Sequence, residues 1–357
     1  MDTFIYTSLP MRVVFGFGTL ARLPDEAEHL GVSRILVLTT PQQLAQGEQL
    51  RSILGTRVVG IYQGAMMHTP VAVTDDAMRV AGELKADCVL SVGGGSTTGL
   101  GKAIAYRTGM PQICVPTTYA GSEMTSILGQ TEDGIKTTLR DPRVLPESVV
   151  YDVDLTMSLP QSLSGTSGIN ALAHAVEALY AKNANPVLSL FAEQGMASLA
   201  TALPVIHHDA HNKVARYQAL YGAWLCAICL GSGEVALHHK LCHVLGGSFD
   251  LPHAETHTII LPHVVAYNAP AIGDALQVIG RALACEDVAA ALFDLAKSIG
   301  AKTALSDLGM PQDGIEKATE IALQNPYFNP RPLTREGIRS LLTDAFHGRR
   351  PSVEDQL

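Results

Sequence analysis

The sequence predicts an α/β domain followed by an all-helical domain, and three observations lead to this prediction. Short runs rich in Val, Ile and Leu alternate with helix-length segments before residue 158, which is the pattern of a parallel sheet covered by helices. After residues 158–160 (SLP) the strand-like runs stop, and apolar segments of helical length follow to the end. A length of 357 residues suits two domains. We therefore expect an α/β domain over residues 1–157 and a helical domain over residues 158–357.

Each predicted element rests on its own short pattern. The predicted strands are RILVLTT (34–40), VVGIYQG (58–64), CVLSVGG (88–94), QICVPTT (112–118) and SVVYDVD (148–154). The segment VTDDAMRVAGEL (73–84) between two of them has helical apolar spacing. In the second half, long apolar segments such as INALAHAVEALYA (169–181) and EVALHHKLCHVLGG (234–247) predict helices.

Charge, apolar runs and cysteine placement exclude several classes of partner and location for this protein. A net charge of −9 and a pI of about 5.8 argue against a nucleic-acid or anionic-membrane partner. The N-terminus has no basic n-region followed by an apolar h-region, and the longest apolar run, 219–231, is too short to span a bilayer. Cys226 and Cys229 lie inside that run and are interpreted as reduced core cysteines. We expect a cytoplasmic protein.

A glycine-rich turn predicts a nucleotide site. Residues 91–105, SVGGGSTTGLGKAIA, lead from a buried strand through three glycines and a serine into a helix. Glycines allow close backbone approach, and the free N–H groups at a helix start bind a pyrophosphate. The P-loop pattern and the G-x-G-x-x-G fingerprint both fail on their offsets. The candidate cofactor residues here are Gly93, Gly94, Gly95, Ser96 and Thr97.

Two further loops end at the same predicted sheet edge. PTTYAGSEMTS (116–126) follows a strand and supplies Thr117 and Thr118, and ligands of open α/β sheets bind at that edge. After the first predicted strand comes Thr39, with no acidic side chain to grip a ribose diol or to repel a 2′-phosphate. We therefore expect that both NADH and NADPH are accepted.

Histidines are concentrated in one stretch, HHKLCHVLGGSFDLPHAETH (238–257), which holds five of the thirteen in the chain. His239 and His243 are four residues apart and project from one helix face, and His253 follows after a loop. Upstream, Asn170 and His174 have the same spacing on another predicted helix.

These motifs, with FGFGTL (15–20), PTT…GSE and LPH (261–263), resemble the iron-containing alcohol dehydrogenase family, group III, over essentially the whole chain. The resemblance implies a dehydroquinate synthase-like architecture, with the active site in the cleft between the domains, and a homodimer. In that family an Asp and three His bind Fe²⁺ or Zn²⁺. The matching positions here are Asn170, His174, His239 and His253, while His243 matches a histidine close to the reacting carbon.

The exchange at Asn170 changes the expected chemistry. An amide oxygen is neutral and a weaker ligand for a transition metal than a carboxylate, so we expect no metal. PMRVVFGFGTLARLP (10–24), MHTPV (67–71), GGGSTTGLGKAIAYRTG, RDPRVLP (140–146), PYFNPRP (326–332) and the glycine at Gly99 are similar to the maleylacetate reductase branch of the family, which is poor in metal. That resemblance implies NAD(P)H-dependent reduction of the C=C bond of maleylacetate to 3-oxoadipate, in bacterial degradation of aromatic compounds.

Such a reaction needs a proton donor, an oxyanion partner and groups that hold a dicarboxylate. We assign the first two roles to His243 and His253, with His174 and His239 in support. Three of the other histidines, His68, His238 and His257, are expected to be structural or peripheral. The candidate substrate ligands are Asn170, Tyr119, Lys136, Arg331 and Tyr327. Two alternatives remain open: a metal-dependent alcohol or polyol dehydrogenase, and a non-catalytic sensor that keeps the fold.

Overall fold

The computed structural model describes residues 3–354, and of Lys136 it describes the backbone only. The chain forms two compact units. The first comprises residues 8–159, and the second comprises residues 160–354 together with residues 3–7.

Eight strands and five helices lie before Pro160. The strands are β1 Arg12–Gly16, β2 Ile35–Leu38, β3 Val58–Tyr62, β4 Cys88–Gly93, β5 Gln112–Pro116, β6 Ile127–Glu132, β7 Ile135–Arg140 and β8 Ser148–Asp152. The helices are α1 Leu23–His29, α2 Leu44–Leu54, α3 Val71–Glu83, α4 Gly95–Thr108 and α5 Val153–Thr156. All five predicted strands are confirmed, each within two residues of its observed end.

Six of the strands form one parallel sheet in the order β1-β8-β5-β4-β2-β3. From β2 the chain moves outward to β3 and then returns to the opposite side of β2, where β4 begins. Leu50 of α2 packs on one face of the sheet with Ile35, whereas Leu100 of α4 packs on the other face with Leu36. The point where the strand order reverses therefore lies between β2 and β4, which is where open α/β sheets bind ligands.

Two features of the first unit were missed from the sequence. The edge strand β1 pairs with β8, and β6 and β7 form an antiparallel hairpin. The hairpin contains Lys136, one of the candidate substrate ligands. Alternation in ILGQTE and IKTTLR is weak, because polar residues stand on both faces of this two-stranded ribbon.

The second unit is helical, as predicted. Its helices are α6 Gln161–Tyr180, α7 Pro186–His208, α8 Lys213–Ser232, α9 Leu237–Phe249, α10 His253–Asn268, α11 Gly273–Leu283, α12 Val288–Ser298, α13 Gly314–Ala322 and α14 Arg335–His347. Asn185 caps α7 and Asn212 caps α8, each accepting backbone N–H groups of the first turn. Leu245, Ile260 and Leu342 join α9, α10 and α14 in one apolar core.

No single helix within residues 3–354 is both long and apolar enough to cross a membrane, and only α8 and α9 taken together, bent by 95°, satisfy the length and composition criteria. The cysteines of α8, Cys226 and Cys229, are buried and free, and burial raises the pKa of both thiols. Their interpretation as core cysteines is consistent with this placement.

Candidate active site

The first unit contains a candidate cofactor site at the carboxyl edge of its parallel sheet. Thr39 follows β2, Gly94 follows β4 and Thr117 follows β5, and these three strands are neighbours in the sheet. The predicted cofactor residues therefore meet at one edge, at the point where the strand order reverses. Gln43, which the sequence analysis missed, links this edge, because its Nε2 donates to Thr117 Oγ1 at 3.0 Å.

Gly93 and Gly95 differ in what surrounds them. Gly93 has a φ of 145°, and a Cβ there would lie 2.4 Å from Gln43 Oε1 and 2.7 Å from Thr97 Oγ1. Its carbonyl also accepts from Thr117 N at 2.9 Å. A Cβ on Gly95, by contrast, would meet no described atom within 4 Å. Gly93 therefore shapes the turn, whereas Gly95 leaves open space beside it.

The start of α4 presents backbone donors to that space. Gly94 is the N-cap, no side chain caps the helix, and its first turn carries no acidic residue. Thr97 Oγ1 donates back to Gly94 O at 2.9 Å. The first N–H groups of a helix have no partner within the helix, and together with the helix dipole they favour an anion. Ser96 lies in this first turn, and Thr118 contacts Gly94 from the neighbouring loop.

Gly99 is explained by its neighbour. A Cβ at Gly99 would lie 2.4 Å from the Oγ1 of Thr69, a buried residue with a φ of 46°. A β-branched residue with positive φ has little freedom to move away. A side chain at position 99 therefore conflicts with Thr69. Thr39 is fully buried, and its Oγ1 has no hydrogen-bond partner among the described residues.

The two glycines give a direct test of this geometry. We expect Gly95→Ala to keep or raise the melting temperature, since alanine is the better helix former by about 1 kcal/mol, and to weaken NADH binding about tenfold through intrusion into the ligand space. We expect Gly93→Ala to lower the melting temperature, because both its φ and its contacts disfavour a Cβ. Differential scanning fluorimetry and NADH fluorescence titration measure the two effects. Equal NADH affinity in Gly95→Ala and the unchanged chain would contradict the assignment.

The second unit contains a histidine cluster, to which α6, α9 and α10 each contribute. Its members are His174, His238, His239, His243, His253 and His257. The rings of His174 and His239 stack with centroids 5.2 Å apart, and the ring of His257 lies 5.0 Å from His239 and 4.3 Å from His253. The structure thus brings together the four histidines predicted to be catalytic.

His238 and His257 belong to this cluster, although the sequence analysis left them outside it. Both are fully buried, and His238 Nε2 lies 2.8 Å from His257 Nδ1. His257 stands between His239 and His253 and thereby connects α9 to α10. The i,i+4 spacing of His253 and His257 was a signal that could have placed His257 on the same face.

Glu177 is the functional residue that sequence reasoning missed. It lies on α6, on the same helix face as Asn170 and His174, and is 1% exposed. Its carboxylate accepts from His239 Nδ1 at 2.6 Å and from the backbone N–H groups of Ala236 and His238 at 2.9 and 2.7 Å. One buried carboxylate therefore anchors the start of α9 and orients the His239 ring.

Burial keeps much of the cluster uncharged. Desolvation is the largest cause that lowers the pKa of His174, His238 and His257 well below the usual range, and repulsion from neighbouring imidazoles adds to it. Loss of the family carboxylate therefore does not make these three histidines more cationic, because a buried ring without a counter-ion loses its proton. Among the described rings of the cluster, the one that Glu177 hydrogen-bonds is that of His239.

Four side chains of the cluster occupy the positions at which the family implies a metal. Asn170 Oδ1, His174 Nδ1 and His239 Nε2 are buried and have no hydrogen-bond partner among the described residues. Imidazole nitrogens suit zinc and iron, but the fourth position carries a neutral amide where the family has a carboxylate. A divalent ion at Asn170, His174, His239 and His253 would therefore meet imidazole nitrogens and a neutral amide, a weaker ligand set than one that includes the family carboxylate.

A second group of metal-type side chains lies next to the cluster. Sγ of Cys242 and ring nitrogens of His238 and His257 lie within 4.8 Å of one another. The 2.8 Å between His238 Nε2 and His257 Nδ1 is a hydrogen-bond distance, shorter than the roughly 3.3 Å between two nitrogen ligands on tetrahedral zinc. Burial raises the pKa of the Cys242 thiol. This group is better described as a hydrogen-bonded part of the core.

The predicted substrate ligands lie in different places. Tyr327 packs on the core of the second unit beneath Lys240, and burial, followed by the charge of Glu177, raises the pKa of its phenol. Arg331 donates to Tyr267 O at 2.6 Å and lines a cavity of about 240 Å³ with His263. In the first unit, Tyr119 is 1% exposed. The side chain of Lys136 lies outside the described residues.

Two family models together match most of the chain and show the family to which it belongs. Residues 10–153 match the model described as iron-containing alcohol dehydrogenase, and residues 164–346 match the C-terminal domain of the Fe-containing alcohol dehydrogenase family. The chain belongs to the iron-containing alcohol dehydrogenase family. It is therefore an enzyme, an NAD(P)-dependent oxidoreductase. Asn170 marks its departure from the metal-ligand pattern of the family.

Individual relatives point to one branch of the iron-containing alcohol dehydrogenases. The maleylacetate reductases of Sphingobium indicum and Burkholderia cepacia are 54% and 51% identical, over 98% and 99% of this chain and 99% and 100% of theirs. A crystal structure of maleylacetate reductase from Agrobacterium tumefaciens superposes with a TM-score of 0.96 at 51% identity, covering 98% of this chain and 100% of that one. The resemblance to this branch and the dehydroquinate synthase-like fold are both confirmed.

Proposed function

We propose that this enzyme reduces the carbon–carbon double bond of maleylacetate to give 3-oxoadipate, with NADH or NADPH as the reductant, in bacterial degradation of aromatic compounds. The observation that carries the proposal is the histidine cluster, in which the family carboxylate is replaced by Asn170 while His174, His239 and His253 are retained. The full-length identity to maleylacetate reductases supports the substrate.

The cofactor, when bound, supplies the hydride that adds to the alkene carbon β to the ketone. We assign its pyrophosphate to the start of α4, at Gly94, Gly95 and Ser96, where no side chain caps the helix and a Cβ on Gly95 would meet open space. Thr39 and Thr117 line the same sheet edge, and none of these residues carries an acidic side chain that would repel a 2′-phosphate. Acceptance of both NADH and NADPH stays a prediction.

The remaining chemistry is proton transfer and charge stabilisation. Negative charge develops on the ketone oxygen as an enolate, and the α carbon then takes a proton. We assign these roles to His243 and His253, since an imidazole can donate both a hydrogen bond and a proton. His239 supports them: because its Nδ1 faces Glu177, its Nε2 is the nitrogen left for the site.

This chemistry requires less of a metal than alcohol oxidation does. A conjugated ketone already delocalises the charge that a Lewis acid would otherwise stabilise, so hydrogen-bond donors suffice. We therefore propose a metal-independent reaction. Asn170 would then serve as a substrate contact, with Tyr119, Lys136, Arg331 and Tyr327 as further candidates for the two substrate carboxylates.

Metal removal tests the proposal. We expect protein dialysed against chelator, and shown by elemental analysis to lack metal, to oxidise NADH with maleylacetate at the undialysed rate. The matched variant is Asn170→Asp, which restores the carboxylate and is expected to retain Zn²⁺ through the same dialysis. Activity that returns only with Fe²⁺ or Zn²⁺ would contradict metal independence. If neither the metal-free nor the metal-restored protein reduced maleylacetate, and the metal-restored protein oxidised a small alcohol, the alternative of a metal-dependent alcohol or polyol dehydrogenase would be favoured.

The proposal extends to the setting of the enzyme. We propose a cytoplasmic homodimer that acts on a small dicarboxylate and binds neither nucleic acid nor membrane. The net charge of −9 supports the last point, because it repels polyanionic surfaces. Size-exclusion chromatography with light scattering tests the dimer, and a monomeric mass would contradict it.

A further inference from the structure

A lysine is completely buried beside the nucleotide edge of the first unit. Lys102 lies on α4, has no exposed surface, and its Nζ contacts four oxygens. They are Ser122 O at 2.6 Å, Thr125 O at 2.7 Å, Thr125 Oγ1 at 2.8 Å and Ile127 O at 2.9 Å. Lysine is almost never fully buried unless it is paired, so this arrangement has a specific cause.

The four contacts indicate that the ammonium form is the one held. Burial lowers the pKa of Lys102 to about 7, while the nearby carboxylate of Glu123 opposes that shift. A neutral amine has two N–H groups and would turn its lone pair toward an oxygen, whereas an ammonium directs three N–H groups, one of them shared, and a positive charge at the four oxygens. The oxygens at 2.6–2.9 Å therefore surround a cation.

Lys102 joins the two loops that we assign to the cofactor. α4 starts at the glycine-rich turn, and the acceptors of Lys102 all lie within residues 122–127, the second half of the loop that follows β5 (residues 117–127, counting the first residue of β6). The near end of that loop is bonded to the same turn, through Thr117 N and Gly93 O at 2.9 Å. Both ends of the loop are thus attached to β4 and α4.

Further contacts close the far end of the loop. Glu123 is 3% exposed, and its Oε1 accepts from Tyr151 OH at 2.8 Å. Thr125 Oγ1 donates to Ser122 O and accepts from Ile127 N. These bonds shape the turn itself, whereas the four bonds of Lys102 tie it to α4, the helix whose first turn we assign to the pyrophosphate.

We propose that Lys102 is a positioning residue, which holds the loop of residues 117–127 against α4. Thr117 and Thr118 thereby stay aligned with the glycine-rich turn. Lys102 thus sets the affinity for the nicotinamide cofactor without touching it. The inference rests on the proposed function only in taking this edge as the cofactor site. Preorganised loops bind more tightly because less conformational entropy is lost on binding.

The variant that tests this is Lys102→Met, which keeps the length of the side chain and removes its charge. We expect NADH to bind at least about tenfold more weakly, a loss of about 1.4 kcal/mol, while kcat at saturating NADH changes less than about threefold, since the histidines are untouched. Fluorescence titration gives the Kd, and steady-state kinetics with maleylacetate give KM for NADH and kcat.

A purely structural lysine would change stability alone, so the control is a second buried cation. Arg216 of α8 is fully buried in the other unit and donates to Ala210 O and Ser164 Oγ. We expect Arg216→Met to lower the melting temperature and to leave the Kd for NADH unchanged. Should Lys102→Met not fold, Thr125→Val removes one of the four oxygens conservatively, and we expect it to weaken NADH binding by a smaller factor.

The NADH affinities of these variants test the role of Lys102 separately from the assignment of the cofactor site. Unchanged NADH affinity in folded Lys102→Met, or in Thr125→Val where Lys102→Met does not fold, overturns the inference while the unchanged chain still binds and oxidises NADH. An unchanged chain that does not bind NADH at all overturns the cofactor assignment itself. Equal weakening in Lys102→Met and Arg216→Met would mean that global stability, and not the loop, sets the affinity, which also overturns the inference.

Discussion

Replacing His253 or His243 by alanine lowers the rate of maleylacetate reduction at saturating NADH by at least about 100-fold, the usual range for loss of a general acid or base. Each histidine belongs to the cluster through its ring contacts, His253 with His257 and His243 with His239. Truncation removes the imidazole that would protonate the α carbon or hydrogen-bond the enolate oxygen, and alanine offers neither.

The comparison needs a variant that removes a histidine without touching the cluster. His208 ends α7 and is exposed, so His208→Ala should keep the full rate. The Kd for NADH should stay constant in all three variants, because the assigned cofactor residues lie in the first unit. Less than tenfold loss in both His243→Ala and His253→Ala would end the assignment of proton transfer to this cluster.

Glu177→Gln should cost both stability and activity, and it is the second large effect. The carboxylate serves three donors within 2.9 Å, and a hydrogen bond to a charged group contributes about 1.5–3 kcal/mol. A glutamine amide keeps one acceptor oxygen but turns an NH₂ group toward a backbone N–H. We expect a drop of several degrees in melting temperature, together with a lower kcat, because the His239 ring loses the partner that orients it.

A second carboxylate provides the matched control. Glu193 of α7 pairs with Arg281 at 2.7 Å, and both side chains are substantially exposed. Such surface pairs contribute only about 0–1 kcal/mol, so Glu193→Gln should leave the melting temperature and kcat nearly unchanged. If Glu177→Gln behaved like Glu193→Gln, the carboxylate would not be holding α9 and His239 in place.

The strands of the sheet were predictable because they are buried on both faces. Ile35–Leu38 and Cys88–Gly93 show no exposed position, and such strands appear in the sequence as unbroken apolar runs. The hairpin of β6 and β7 was not predictable, since its pairing depends on contacts that neither strand's composition signals. Edge strand β1 was also missed, because it is only half-buried and lacks the burial on both faces that makes the central strands recognisable.

The candidate site was predicted in part. Spacing of four residues placed Asn170 with His174 and His239 with His243, since the helix period determines which side chains share a face. Glu177 sits at the right spacing on α6, but a glutamate in an apolar helix gave no hint of the two backbone N–H groups it would accept from across the unit. The sequence around Lys102 gave no indication of its four oxygen contacts.

The sequence by itself determined the fold class, the family, the glycine-rich turn and the loss of the carboxylate at Asn170, because each depends on residue identity or on local periodicity. Tertiary structure alone decided which histidines are neutral, which carboxylate orients His239 and which lysine joins the two cofactor loops. Those properties depend on burial and on partners distant in sequence: 62 residues separate Glu177 from His239, and up to 25 separate Lys102 from its acceptors. Desolvation and hydrogen bonding act through space, so only the packed chain reveals them.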